Sequence, residues 1–298
     1  MTAEATQSIG EHRRGPKRVL VLGSTGMVGR AWCELLDREG IEHRGVSRPE
    51  FDLLNRRTVC EAINPGEDLV VNAAAWTDVD GAESDPDAAM QANADSVGLL
   101  SGRCHALGAT LIHYSTDYVF NGRAERPYPI NAEIDPCNAY GKSKAAGEEL
   151  IRHQGTPDHI IIRTSWVYAP WGKNFVRTIA KFAAEKPELR VVDDQRGRPT
   201  SAEQLAATSL ALHRSGARGV WHATDGGECT WHELATLIAA RVNPSCVVHP
   251  CSSEEYPRPA FRPPYSVLNI EATETLCGPM RSWQESVEDV LSRLEETK

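Results

Sequence analysis

Short apolar runs alternate with amphipathic stretches through the first half of the chain. Residues 17–23 form a compact apolar run closed by a glycine, and the helical pattern over 27–39 stops at Gly40. Residues 41–47 read as a second strand, 57–63 as a short helix stopped by Asn64-Pro65, and 68–75 as a third, strongly apolar strand. Strands buried on both faces read as near-continuous apolar runs, so these predict a parallel sheet covered on both sides. Asp85 followed by Pro86 supplies an N-cap carboxylate and a first-turn proline for a helix over 86–107. A strand over 110–115, a proline-containing loop, a helix over 140–153 and a strand over 159–164 continue the rhythm. Such alternation predicts a doubly wound parallel α/β sheet.

Past Ser165 the rhythm loosens, with helices expected over 175–185, 202–214 and 230–241, a proline-rich loop over 256–264, and a last helix opened by the capping pair Ser282 and Glu285. The expected division is a flexible lead-in over 1–16 and a dinucleotide-binding domain over 17–166 and 189–223. A smaller C-terminal substrate-binding domain takes 167–188 and 224–298. A length of 298 residues with 41% hydrophobic content can bury a core of this size.

A net charge of −9 argues against a nucleic-acid partner or an acidic membrane surface. No run approaches the ~18 apolar residues of a membrane helix. Arg13-Arg14 precedes only a short apolar run that leads straight into a glycine loop, so it is not expected to be an export signal. Eight cysteines are scattered without a Cys-x-x-Cys pair, which speaks against a metal site and for a reducing, cytoplasmic compartment.

The chemistry gathers at the ends of the expected strands. Gly23-Ser24-Thr25-Gly26-Met27-Val28-Gly29 lies between strand and helix, where glycines permit a tight turn and a helix N-terminus faces a pyrophosphate; this makes the sheet Rossmann-like. Ser47 and Arg48 end the second strand, and a hydroxyl with a guanidinium suits a 2′-phosphate, so NADPH is expected in preference to NADH. Asp52 and Leu53 follow closely, Asp52 within reach of an adenine. Ala73, Ala74 and Ala75 after Asn72 let a cofactor lie against the sheet edge, and Thr77, Val79 and Asp80 follow on that edge toward a substrate. Tyr140 and Lys144 stand one helical turn apart, so the ammonium is expected to favour the phenolate and make the tyrosine a proton donor and acceptor. A hydroxyl from Ser115 or Thr116 is available to the same substrate oxygen.

Taken together, Asn72-Ala-Ala-Ala-Trp-Thr-Asp-Val-Asp80, His113-Tyr-Ser-Thr-Asp-Tyr-Val-Phe120, Tyr140-Gly-Lys-Ser-Lys144, Arg163-Thr-Ser-Trp-Val-Tyr168 and Asp194-Gln-Arg-Gly-Arg-Pro-Thr200 resemble the dTDP-4-dehydrorhamnose reductase family of extended short-chain dehydrogenase/reductases. The resemblance implies Thr116, Tyr140 and Lys144 as the catalytic trio of an NADPH-dependent reduction. The reaction would convert the C4 keto group of dTDP-4-dehydro-6-deoxy-L-mannose, or a close relative, to the alcohol, dTDP-L-rhamnose in the first case. It further implies sugar or cofactor contacts at Thr77, Val79, Asp117, Tyr118 and Trp166, and Lys173, Arg196, Arg198 and Arg262 are candidate cations for the sugar diphosphate. Ala31 stands where some members carry a glutamate that helps Mg²⁺ bridge two subunits, which leaves the metal and a metal-bridged homodimer open. Alternative readings are a nucleotide-sugar epimerase or dehydratase, and a cofactor-binding regulatory subunit like that of methionine adenosyltransferase.

Overall fold

The computed structural model describes residues 15–153 and 158–296. The expected lead-in, including Arg13-Arg14, lies up to residue 14 outside the described residues. In chain order the first part contains β1 (Arg18–Leu22), α1 (Met27–Glu39), β2 (Glu42–Val46), α2 (Arg56–Glu61), β3 (Leu69–Asn72), α3 (Val79–Ser84), α4 (Pro86–Met90), α5 (Ser96–Leu107), β4 (Thr110–Thr116), α6 (Ala139–His153) and β5 (His159–Thr164). The second part contains β6 (Val167–Tyr168), α7 (Phe175–Glu185), β7 (Glu188–Val192), β8 (Arg196–Gly197), β9 (Thr200–Ser201), α8 (Ala202–Arg214), β10 (Gly219–His222), β11 (Cys229–Thr230), α9 (Trp231–Val242), β12 (Val247–Cys251), α10 (Glu271–Cys277) and α11 (Trp283–Glu296).

Six parallel strands form the central sheet in the order β10-β5-β4-β3-β1-β2. From β1 the chain runs first outward to β2 and then back across to β3, so the order reverses between β1 and β3. In open α/β sheets that reversal leaves a crevice at the strands' carboxyl ends. Alternate residues feed opposite layers: Val19 and Val21 pack with Trp32, Leu36 and Leu205 of α1 and α8, while Leu20 and Leu22 pack with Val97, Leu100 and Ile151 of α5 and α6. Each such side chain contributes about 1.5–3 kcal/mol when fully buried. The sheet is Rossmann-like and doubly wound, as the alternation predicted.

A separate apolar cluster sits beyond the sheet, where Val176 and Ile179 of α7, Leu234 and Ile238 of α9, and Val287, Val290 and Leu291 of α11 pack on Leu189 and Val191. β7 pairs in parallel with β12 and not with the six-stranded sheet. The capping pair of α11 forms, with Glu285 N–H donating to Ser282 Oγ and Ser282 N–H to Glu285 Oε2.

Two local expectations change. The helix expected over 86–107 is interrupted by a π-helical turn, Gln91–Asp95. There Asn93 accepts from Trp76 N–H at 2.9 Å and donates to Trp76 O and Ser143 Oγ. Its backbone also meets α6 so closely that a Cβ on Gly147 would lie 2.2 Å from Asn93 O. Tertiary contacts with two other segments override the local helix pattern. The third strand ends at Asn72 because Ala73, Ala74 and Ala75 leave the sheet to line the crevice.

Candidate active site

Gly26 caps α1 without a side-chain hydrogen bond, so the first amides of a 13-residue helix point unpaired toward the crevice. Gly23 has φ 79°, and a Cβ there would lie 2.9 Å from Ala74 N; the loop and the third strand's end approach too closely for a side chain. Around this point opens a cleft of about 700 Å³. Gly23, Thr25, Gly26, Met27 and Val28 form one wall and Ser47, Arg48, Asp52 and Leu53 the far end. Ala73, Ala74, Ala75 and Thr77 make the floor, with Tyr140 and Lys144 at the near end.

Several expected residues stand elsewhere or do something different. Gly29 does not line the cleft; a Cβ there would be 2.1 Å from Gly23 O, so its absence lets α1 seat under the loop. Ser47 Oγ accepts from Thr25 N–H at 3.0 Å and from Thr25 Oγ1 at 3.1 Å, bracing the glycine loop against β2. Asp80, expected on the edge toward a substrate, lies in α3, where its carboxylate accepts from Arg262 at 3.0 and 3.1 Å and from Ala260 N–H. That ion pair holds its carboxyl below the usual range and pins the 256–264 loop to the first half. Val79 starts α3 and is not on the cleft wall.

At the near end, α6 is capped by Asn138, whose Oδ1 accepts from Gly141 N–H at 2.7 Å. Gly141 presses on the preceding segment: a Cβ would be 2.1 Å from Tyr118 O. The helix thereby brings Tyr140 beside Thr116, whose hydroxyl works to lower its pKa. Burial and the Asp117 carboxyl work against it more strongly and raise the Tyr140 pKa. The raised pKa suits the expected role of proton donor, but Lys144 is not among the groups that shift it. Thr116 Oγ1 donates to Asp117 Oδ1 at 2.9 Å, and Asp117, 2% exposed, is pushed up to about 6 by burial, with Oδ2 unpartnered. Ser115 lines the cleft, but its hydroxyl donates to Glu148 at 2.5 Å, which leaves Thr116 as the hydroxyl beside Tyr140.

Lys144 is 1% exposed, and burial lowers its pKa to about 8 against the opposing pull of Glu148. Its Nζ lies 3.3 Å from His113 Nε2, and Asn72 lies behind that ring. Sequence reasoning gave neither residue a role; a histidine set among Leu111, Ile112 and Tyr114 in a buried strand was the available signal.

A second cavity of about 520 Å³ adjoins the first through an edge-to-face contact of Tyr118 and Tyr140, ring centroids 6.1 Å apart. Tyr118, Phe175, Phe182 and Trp231 supply aromatic walls, and Lys186, Arg190, Arg258 and Arg262 supply cations. Arg262 alone of the four anticipated cations lines it; Lys173, Arg196 and Arg198 do not, and Arg196 sits between Glu228 and Glu233. Trp166 stands behind the wall, stacked on Trp231 at 3.6 Å with φ 48°, a left-handed backbone unusual for a bulky residue. Gly197 beneath it leaves room for the indole. A wider groove of about 840 Å³ between α9 and α11 holds none of the expected site residues.

Comparison with known proteins agrees with this arrangement. The family model for the RmlD substrate binding domain matches residues 17–296. The chain is 39% identical over 275 residues to the spore coat polysaccharide biosynthesis protein SpsK of Bacillus subtilis, covering 92% of this chain and 96% of that one. It is 38% identical over 268 residues to dTDP-4-dehydrorhamnose reductase of Salmonella typhimurium, covering 85% and 89%. The crystal structure of dTDP-4-dehydrorhamnose reductase from Bacillus anthracis in complex with NADP superposes with a TM-score of 0.86 at 33% identity, over 93% of this chain and 99% of that one. A match that spans the glycine loop, the Tyr140 helix and the second cavity in one stretch places the chain in the dTDP-4-dehydrorhamnose reductase family of oxidoreductases.

Proposed function

We propose that the protein reduces the C4 keto group of dTDP-4-dehydro-6-deoxy-L-mannose with NADPH, giving dTDP-L-rhamnose. The observation that carries this reading is the junction of the two cavities at Tyr118 and Tyr140. One side suits a dinucleotide, the other an aromatic base with a diphosphate, and the proton donor stands between them.

The cleft fits NADPH. Uncapped amides of α1 face the pyrophosphate, Arg48 provides a cation at the adenosine end, and the alanine floor admits a flat ring. Bound there, NADPH supplies the hydride that converts the carbonyl carbon to C–H. Tyr140 gives its proton to the carbonyl oxygen as the C=O double bond becomes a single bond, so the alcohol forms without a free alkoxide. Thr116 holds the Tyr140 hydroxyl in place, and Lys144 favours the phenolate left behind. In the second cavity Trp231 and Phe175 stack on the pyrimidine, and Arg190, Arg258 and Arg262 neutralise the diphosphate. Thr77, Asp117 and Tyr118 border the sugar.

We assign dinucleotide binding to the six-stranded sheet with α1–α6 and α8. Substrate binding goes to the cluster around α7, α9 and α11, with β7 moved to the latter because it pairs with β12. Eight free cysteines suit a reducing cytoplasm.

The test is NADPH oxidation with freshly generated dTDP-4-dehydro-6-deoxy-L-mannose, wild type beside Tyr140→Phe, with the product identified by NMR. Wild type should form dTDP-L-rhamnose, and the variant should lose about 10²–10⁴ in kcat while still binding NADPH. Equal turnover by the variant refutes the role of Tyr140; a different product sugar refutes the substrate.

A further inference from the structure

Three polar side chains stand in line beneath the cleft, each from a different element. Asn72 ends β3, His113 is its register partner on β4, and Lys144 comes from α6. Asn72 Nδ2 lies 3.1 Å from His113 Nδ1, and His113 Nε2 lies 3.3 Å from Lys144 Nζ. All three are at most 1% exposed, so the contacts among them are not diluted by water.

The hydrogen-bond inventory fixes where the protons go. Asn72 Oδ1 accepts from Ala74 N–H at 3.3 Å, which turns the amide's NH₂ edge toward the imidazole. An NH₂ group only donates, so His113 Nδ1 must accept. Burial and the neighbouring Lys144 keep the ring neutral, and a neutral imidazole with an accepting Nδ1 carries its one proton on Nε2. That N–H is aimed at Lys144 Nζ. An ammonium has three donors and no acceptor, whereas an amine has a lone pair. The other charged or titratable groups around Lys144 are Tyr140 and Glu148 on its own helix; Arg163 of β5 neutralises Glu148. β3 presents only the uncharged Asn72.

We propose that Asn72 and His113 are a positioning pair for the reduction, in which the amide locks the imidazole tautomer and the locked N–H weakens the hold of Lys144 on its proton. The inference rests on the proposed reaction for its consequence: Lys144 loses its ammonium within the working range, and the rate falls above that pH because the phenolate of Tyr140 loses its cationic partner. Burial already brings the Lys144 pKa to about 8, and the tautomer acts in the same direction.

Asn72→Asp is the decisive variant, because a carboxylate accepts where the amide donates. The imidazole proton moves to Nδ1, Nε2 becomes an acceptor for the ammonium, and Lys144 holds its proton more tightly. The experiment reads the His113 tautomer and the Lys144 Nζ titration by nitrogen-15 NMR in the free protein, and the basic limb of kcat against pH with NADPH and the keto sugar. Expected are an Nε2–H tautomer in wild type, an Nδ1–H tautomer in Asn72→Asp, and a rise of at least about one pH unit, a tenfold change in proton affinity, in both the lysine titration and the basic limb. A general gain of negative charge would raise the lysine titration and the limb while leaving the variant's imidazole proton on Nε2, and that result overturns the proposal.

An Nδ1–H tautomer or an imidazolium in wild type overturns the proposal, and so does an unmoved lysine titration in the variant. The wild-type tautomer decides alone if the variant does not fold. A shifted titration without sugar turnover refutes the proposed reaction and leaves the pair standing; turnover with an unshifted limb does the reverse.

Discussion

Glu148 is 0% exposed and Arg163 only 2%, yet their bidentate contact at 2.9 and 2.7 Å lies directly behind the active-site strand. The carboxylate also takes the Ser115 hydroxyl at 2.5 Å, and the guanidinium continues to Ile130 O at 2.9 Å and rests 5.1 Å from the Phe120 ring centre. Glu148→Gln keeps the shape and removes the charge, which strands a guanidinium in the interior. Breaking one side of a buried pair costs about 3–5 kcal/mol. At about 2–4 °C per kcal/mol in domains of 150–250 residues, the midpoint should fall by about 6–20 °C. Differential scanning calorimetry measures this, with far-ultraviolet circular dichroism at 20 °C to establish that the variant is folded. Replacing both partners, Glu148→Leu with Arg163→Met, removes the charges together and should recover more than half of the loss, since a buried pair is often close to neutral against apolar residues of similar volume. A fall of less than about 2 °C in Glu148→Gln, or a double variant no better than the single, would show that the pair is not a closed electrostatic unit.

Two substitutions test the cofactor cleft. Gly29→Ala would place a Cβ 2.1 Å from Gly23 O, so the loop must move; a stability loss of about 1–3 kcal/mol and at least about tenfold weaker NADPH binding by calorimetric titration are expected, and unchanged affinity would contradict the seating of α1 under the loop. Arg48→Ala should weaken NADPH by about 10–150-fold, the worth of one charge-assisted contact, and NADH far less; equal losses would remove the argument for a 2′-phosphate site.

Strands β1, β3, β4 and β5 were readable because their burial is written into their own residues, whereas β10, half-buried at three of its four positions, was not. β4 is buried at all seven positions, and the pattern over 110–115 already shows it. The π-turn at Gln91–Asp95 was not readable, because Asn93 takes its partners 17 and 50 residues away. β12 was missed for a related reason: Val247–Cys251 is mostly exposed and includes Pro250, so only its pairing with β7 makes it a strand. In the site, the glycine loop and the alanine floor lie in local motifs at strand ends, Tyr140 and Lys144 in one at the start of α6, and all were recognised there. Arg190 and Arg258 were not, since the second cavity exists only once the 256–264 loop folds back onto α3 through Asp80 and Arg262. The direction of the Tyr140 shift was not legible, because helical spacing shows the nearby ammonium but not the depth of burial, and burial is the larger effect.

One short segment ties the two cavities to each other. Thr116 ends β4 beside Tyr140, Asp117 begins a single 3₁₀ turn with its carboxyl buried, and Tyr118 in the same turn faces the second cavity. Because Gly141 rests on Tyr118 O, α6 cannot shift without carrying this turn with it. A movement that misplaced the phenol would therefore also disturb the wall of the second cavity. Under the proposed function, recognition of the nucleotide sugar and placement of the proton donor are not two properties joined by a flexible link. They are fixed by adjacent residues at the end of one fully buried strand, and the rigidity of that strand is what keeps the carbonyl oxygen within reach of Tyr140.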